Sequence, residues 1–123
     1  MARILIAEDE EAVRSLVVRA LEMDGHQVTQ AADGAAALDE LARAQGRFDL
    51  LLSDIKMPIM DGIALALAAS RDHPKLTILL MTGYADQRER AAGLEDLVQG
   101  VIAKPFTLAD LRFAVAAALA KAK

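Results

Sequence analysis

The sequence has no cysteine and no tryptophan, and its aromatic residues are only Tyr84, Phe48, Phe106 and Phe113. Without thiols, disulfides and cysteine nucleophiles are excluded. There is no basic run and the net charge is −4, so nonspecific binding to nucleic acid, which needs a cationic face for the phosphates, is not expected. No apolar stretch approaches the ~20 residues that a membrane-spanning helix needs. Met1 leads directly into an apolar pattern with no secretory prelude, which makes a cytoplasmic protein the expectation.

What is present is a dense aliphatic complement. Apolar residues, chiefly Ala, Leu, Val and Ile, make up 54% of the 123 residues. A chain of this length fits one domain, 1–123, with a radius of gyration of roughly 14 Å and roughly two-thirds of its unfolded surface buried. Short apolar runs alternate with helical patterns along it. Strands are expected at Ala2–Ala7, His26–Ala31, the run from Phe48 that stops at Asp54, Leu76–Met81 and Val98–Ala103, of which the second has the weakest pattern. The first helix carries Val13, Leu16, Val17, Ala20 and Leu21 on one stripe and stops at Asp24-Gly25. A second spans 35–44, with Leu38, Leu41 and Ala42 facing in, and a third, rich in alanine, spans 63–71. A polar helix containing Gly93 is expected over 86–95. The last helix opens on Thr107 with Asp110 three residues on, and buries Leu108, Leu111, Val115 and Leu119. Five strands alternating with five helices require parallel pairing and right-handed crossovers, and hence a three-layer α/β sandwich.

The strands share a feature at their ends. Leu50, Leu51 and Leu52 leave no polar face, as in a strand covered on both sides, yet the run stops at Asp54. Pro58 and Asp61-Gly62 then force a turn, so Asp54 lies at the C-terminal sheet edge, where open α/β sheets bind ligands. Glu8 and Asp9 end the first strand, Thr82 follows the fourth and Lys104 follows the fifth. Carboxylates ~4 Å apart repel by roughly 4 kcal/mol at an effective dielectric near 20, so the cluster needs a cation. All-oxygen donors in a partly open site favour Mg²⁺. With Lys104 as a second cation and Thr82 as a donor, the arrangement suits receipt of a phosphoryl group by in-line attack of Asp54.

Glu8-Asp9, Asp54-Ile55-Lys56-Met57-Pro58 with Asp61-Gly62, Thr82-Gly83 and Lys104-Pro105-Phe106 together resemble the receiver domain of two-component response regulators, and the resemblance spans the whole chain. It implies a strand order of 2-1-3-4-5, known for the chemotaxis receiver, and Asp54 as phosphoacceptor. It further implies Asp9 and Asp54 as direct Mg²⁺ ligands, the Lys56 main-chain carbonyl as another, and Glu8 acting through a water. Thr82 and Lys104 would bind the phosphoryl group, and the Lys104-Pro105 bond would be cis. The implied phosphodonor is a sensor histidine kinase or a histidine phosphotransfer protein. Output is expected through a protein partner at the polar helix, the fifth strand and the last helix, in a monomer or weak dimer, as in stand-alone chemotaxis-type and CpdR-like receivers.

One position departs from the pattern. Val101 stands three residues before Lys104, where receivers commonly carry Tyr or Phe that swings inward on phosphorylation; either the signal is read through the Thr82 loop and the polar helix alone, or Tyr84 substitutes for the aromatic. Phe113 lies roughly 150° from the buried stripe of the last helix and is expected to point outward. Two other readings compete: a pseudo-receiver that binds partners without phosphorylation, and a receiver fragment of a longer regulator. A phosphohydrolase of the haloacid-dehalogenase type would need an acid two residues after the nucleophile, and that residue is Lys56.

Overall fold

The computed structural model describes residues 2–83, 92–94 and 96–122. Five strands, β1 (Arg3–Ala7), β2 (Gln27–Ala31), β3 (Leu50–Asp54), β4 (Thr77–Thr82) and β5 (Gly100–Ala103), form one sheet in the order β2-β1-β3-β4-β5. Every pairing is parallel. The implied order is therefore the observed one. Because β2 and β3 lie on opposite sides of β1, the crossovers leave β1 in opposite directions and a crevice opens beyond the ends of β1 and β3.

Side-chain alternation along each strand builds two cores. Leu5, Leu51, Ile78 and Leu80 face α2 (Gly34–Arg43) and α3 (Gly62–Asp72), where they meet Ala37, Leu41, Leu65 and Ala69. Ile4, Ile6, Leu50, Leu52, Leu79 and Met81 face the other way. They pack on Val17 and Leu21 of α1 (Glu11–Met23) and on Leu111 and Val115 of the last helix, α4 (Leu108–Lys121). Each fully buried Leu or Ile contributes roughly 1.5–3 kcal/mol, so β3, buried along its whole length, anchors both layers.

Helix ends follow local chemistry. Asp33 and Asp61 cap α2 and α3 by accepting from Ala36 N–H and Ala64 N–H, and Thr107 and Asp110 form the expected reciprocal cap of α4. The Arg112 guanidinium of α4 grips both carboxylate oxygens of Asp24, beyond the end of α1, and holds that carboxyl below its ordinary range.

Several expectations need correction. Four α-helices stand among the described residues. Of the polar helix expected over 86–95, only Ala92–Leu94 are described, as a single 3₁₀ turn, and 84–91 and Glu95 lie outside the described residues. In α1, Leu16 is half-exposed and Val18 is buried in its stead, because Leu16 sits on the rim of the stripe beside the crevice. Ala42 is exposed and Leu38 only half-buried; Ala37 and Leu41 set the inward direction of α2, and a further 100° turns Ala42 away from it. Leu108 is exposed at the first position of α4, before the helix settles onto the sheet, and Leu119 is only half-buried. Phe113, as expected, is exposed.

The loop from β3 to α3 holds one residue against its preference. Ile59 has φ 68° and is solvent-exposed, while the Met60 N–H donates across it to the Pro58 carbonyl at 2.7 Å. That is a γ-turn with positive φ at its centre, strained for any L-residue and more so for a β-branched one. Glycine adopts positive φ without steric cost and the exposed isoleucine gives little packing in return. Ile59→Gly is therefore expected to raise the unfolding free energy by about 1 kcal/mol in urea titration, and Ile59→Val to leave it unchanged.

Candidate functional site

At the mouth of the crevice the ends of β1, β3, β4 and β5 bring the sequence candidates together. Glu8 follows β1 and is fully buried. Its N–H donates to the Ala31 carbonyl at 3.1 Å, tying the turn to β2, and its Oε2 accepts from Glu10 N–H at 3.1 Å. Asp54 ends β3 and is almost fully buried; its Oδ1 accepts from Ile55 N–H at 2.9 Å. Asp9 is exposed at the same mouth, and Glu8, Asp9 and Asp54 each offer an oxygen within 4.8 Å of the others.

Lys104 reaches this cluster from the end of β5. Its Nζ donates to Glu8 Oε1 at 3.0 Å and lies 3.2 Å from Asp54 Oδ2. Burial pushes the Glu8 carboxyl up to about 7, against the lowering pull of Lys104 and of the Glu10 N–H. Burial also disfavours the Lys104 ammonium, but Glu8 and Asp54 together outweigh it and hold its pKa above the ordinary value. The Lys104-Pro105 bond is cis, as implied. Thr82, buried at the end of β4, accepts Lys104 N–H on its main-chain carbonyl at 2.7 Å. Lys56 is exposed and lines the cleft with Asp9, Asp54 and Lys104. Tyr84 lies outside the described residues, and Val101 is exposed on β5.

The cleft has a volume of about 560 Å³, and Val13, Leu16 and Phe106 form its apolar side. Its donor set is hard oxygen. With Glu8 ionised, three carboxylates against one ammonium leave the cluster two charges short, which is the charge of a small dication. The residues present therefore fit a divalent ion such as Mg²⁺, which takes one or two carboxylates and keeps several waters.

Sequence reasoning did not single out the fit of Gly62 beneath Asp54. A Cβ at Gly62 would overlap the Asp54 carbonyl oxygen, and the Gly62 N–H donates to the Ile55 carbonyl at 2.7 Å. Both contacts are main-chain and cannot yield cheaply. Gly62→Ala is expected to cost about 2–3 kcal/mol in urea unfolding, with Asp54 displaced first. The glycine following Asp61 reads at sequence level only as a turn signal.

Comparison with known proteins places this geometry. The model of the response regulator receiver domain family matches residues 4–116. The response regulator receiver protein CpdR of Brucella abortus (strain 2308) is 42% identical over 111 residues, covering 90% of this chain and 91% of CpdR. The sensor kinase CckA of the same organism is 37% identical over 120 residues; that is 98% of this chain but only 13% of CckA. Among solved structures, the response regulator TrrA of Thermotoga maritima, in complex with Mg(2+)-BeF, superposes with a TM-score of 0.83 at 27% identity, over 96% of this chain and 99% of TrrA.

Proposed function

The chain belongs to the response regulator receiver domain family, and on that premise we propose that it is a receiver switch in which Asp54 accepts a phosphoryl group from a phosphohistidine. The donor would be a sensor histidine kinase or a histidine phosphotransfer protein. The observation that carries this reading is Lys104 held between Glu8 and Asp54 with Asp9 alongside. An acceptor carboxylate, a cation and a dication-sized charge deficit meet there at one crevice.

In the reaction, Asp54 attacks phosphorus in line with the P–N bond of the donor imidazole. That bond breaks, its electron pair returns to the imidazole nitrogen, and the phosphoryl group remains on Asp54 as an acyl phosphate. Bound Mg²⁺, held by Asp9, Asp54 and the Lys56 main-chain carbonyl and by Glu8 through a water, would neutralise charge on the phosphoryl oxygens. Lys104 gives its ammonium to a second phosphoryl oxygen and Thr82 its hydroxyl to another. The domain catalyses only its own phosphorylation and dephosphorylation. Its readout is altered binding of a protein partner at β5, α4 and the segment over 86–95, where Val101 replaces the usual aromatic and Phe113 stands exposed. The receiver domain acts in the cytoplasm as a monomer or weak dimer. Among the described residues no helix is long and apolar enough to cross a membrane.

The test is intact-mass spectrometry after incubation with acetyl phosphate. One added phosphoryl group with Mg²⁺ and none with a chelator supports the proposal. An unmodified protein under both conditions would leave a binding module that phosphorylation does not regulate.

A further inference from the structure

Arg14 belongs to α1, and its charged end does not point simply to solvent. Nη1 donates to the main-chain carbonyl of Glu8 at 2.8 Å, and Nε donates to Gln30 Oε1 on β2 at 3.1 Å. Glu8 is fully buried, so its carbonyl is buried with it and depends on a protein donor. The other polar groups of Glu8 are also engaged: its N–H with Ala31, Oε2 with Glu10 N–H and Oε1 with Lys104. Four tethers thus fix the turn that presents Asp9, and Arg14 supplies the one that acts on the peptide unit joining Glu8 to Asp9. A guanidinium is suited to this, since its planar fork serves two acceptors on different elements at once.

We propose that Arg14, held in place by Gln30, is a positioning residue for the metal-binding acidic turn: it fixes the Glu8 carbonyl and thereby the direction in which Asp9 presents its carboxylate. The inference rests on the receiver reading of the site, with Mg²⁺ as the ion bound there. Charge and positioning act on Mg²⁺ affinity with opposite signs. Arg14 carries positive charge close to an acidic cluster, so by electrostatics alone its removal should tighten Mg²⁺ binding. If its role is to position the turn, removal should weaken binding, as loss of an outer hydrogen bond to a metal site does by about 10–100-fold.

The experiment compares wild type with Arg14→Met, Arg14→Lys and Gln30→Ala, measuring Mg²⁺ dissociation constants by titration, thermal midpoints, and hydrogen exchange of the Glu10 amide in metal-free protein. Arg14→Met is expected to raise the dissociation constant at least about tenfold and to speed Glu10 exchange, with Ile6 in β1 unchanged. Arg14→Lys keeps the charge and one donor and should recover part of the affinity. Gln30→Ala frees Nε but leaves Nη1, so its effect should be smaller in the same direction. Tighter Mg²⁺ binding in Arg14→Met would show that only charge matters and overturn the proposal. A lowered midpoint with unchanged Mg²⁺ affinity and unchanged Glu10 exchange would make Arg14 merely structural and overturn it too. Failure of wild type to bind Mg²⁺ would count against the receiver reading instead, and the metal-free exchange of Glu10 would still decide whether Arg14 holds the turn.

Discussion

Asp54→Asn is expected to abolish phosphorylation outright: no phosphoryl group should appear in the intact mass under conditions that modify wild type. The amide oxygen can still accept from Ile55 N–H as Asp54 Oδ1 does at 2.9 Å, so the end of β3 keeps its conformation. The fold should survive as well, because the charge effects oppose one another. Above pH 7, where Glu8 is ionised, and at an effective dielectric near 20, Glu8 and Asp9, with oxygens within 4.8 Å, each repel the Asp54 carboxylate by about 3 kcal/mol, while Lys104 at 3.2 Å attracts it by about 5 kcal/mol. The remainder is small, so the urea midpoint should move little while the chemistry is lost completely. A variant that still gained a phosphoryl group would place the acceptor elsewhere, with Asp9 the next carboxylate to test.

The fold was legible in the sequence wherever burial on both faces left an unmistakable pattern. Leu50, Leu51 and Leu52 read as a covered strand and are one, with no exposed area. The site was legible for a related reason: a carboxylate, hydroxyl or amine ending an apolar strand has few structural explanations, and Glu8, Asp54, Thr82 and Lys104 all proved to be such endings. Helix faces were less legible. Leu16, Ala42 and Leu108 are apolar residues at the margins of a stripe, where hydrophobicity alone does not say whether the neighbouring element reaches far enough to cover them. Leu16 falls beside the cleft, and it is the cleft that leaves it exposed.

Main-chain relations within the loops, outside the cis bond that the family pattern implied, were the least legible. Nothing in an isoleucine predicts the left-handed turn at Ile59, since residue preference argues against it and only the constraint of the surrounding loop imposes it. The contact of Gly62 with Asp54, and that of Arg14 with the Glu8 carbonyl, depend on where two elements cross in space. Arg14 lies outside the apolar stripe of α1, and that pattern does not say which element such a residue meets. The departure at Val101 was visible from the residue pattern alone, and the structure adds that its side chain is exposed at the sheet edge.

Lys104→Met should separate the structural duty of this lysine from its chemical one through pH. The substitution preserves most of the stem and removes the cation that sits 3.0 Å from Glu8 and 3.2 Å from Asp54. Glu8 already holds its proton up to about 7 in the folded wild type, against an ordinary value of 4.5. Between those values the folded state binds more protons than the unfolded one, so metal-free stability falls as pH rises through this window. Without Lys104 the folded-state value rises further, and the window widens upward. At pH 5 the Glu8 carboxyl is neutral in both proteins and the variant should lose about 1 kcal/mol. At pH 8, where wild-type Glu8 is ionised beside Lys104, the variant must either hold its proton or ionise without a partner, and at about 1.4 kcal/mol per pH unit the loss rises to about 2 kcal/mol. Urea titrations of metal-free protein at the two pH values measure the difference, and Mg²⁺ added at pH 8 should restore part of the loss, since the ion replaces the missing positive charge. Equal losses at both pH values would mean that Lys104 stabilises the domain through its packed stem, and that the pairing with Glu8 contributes little.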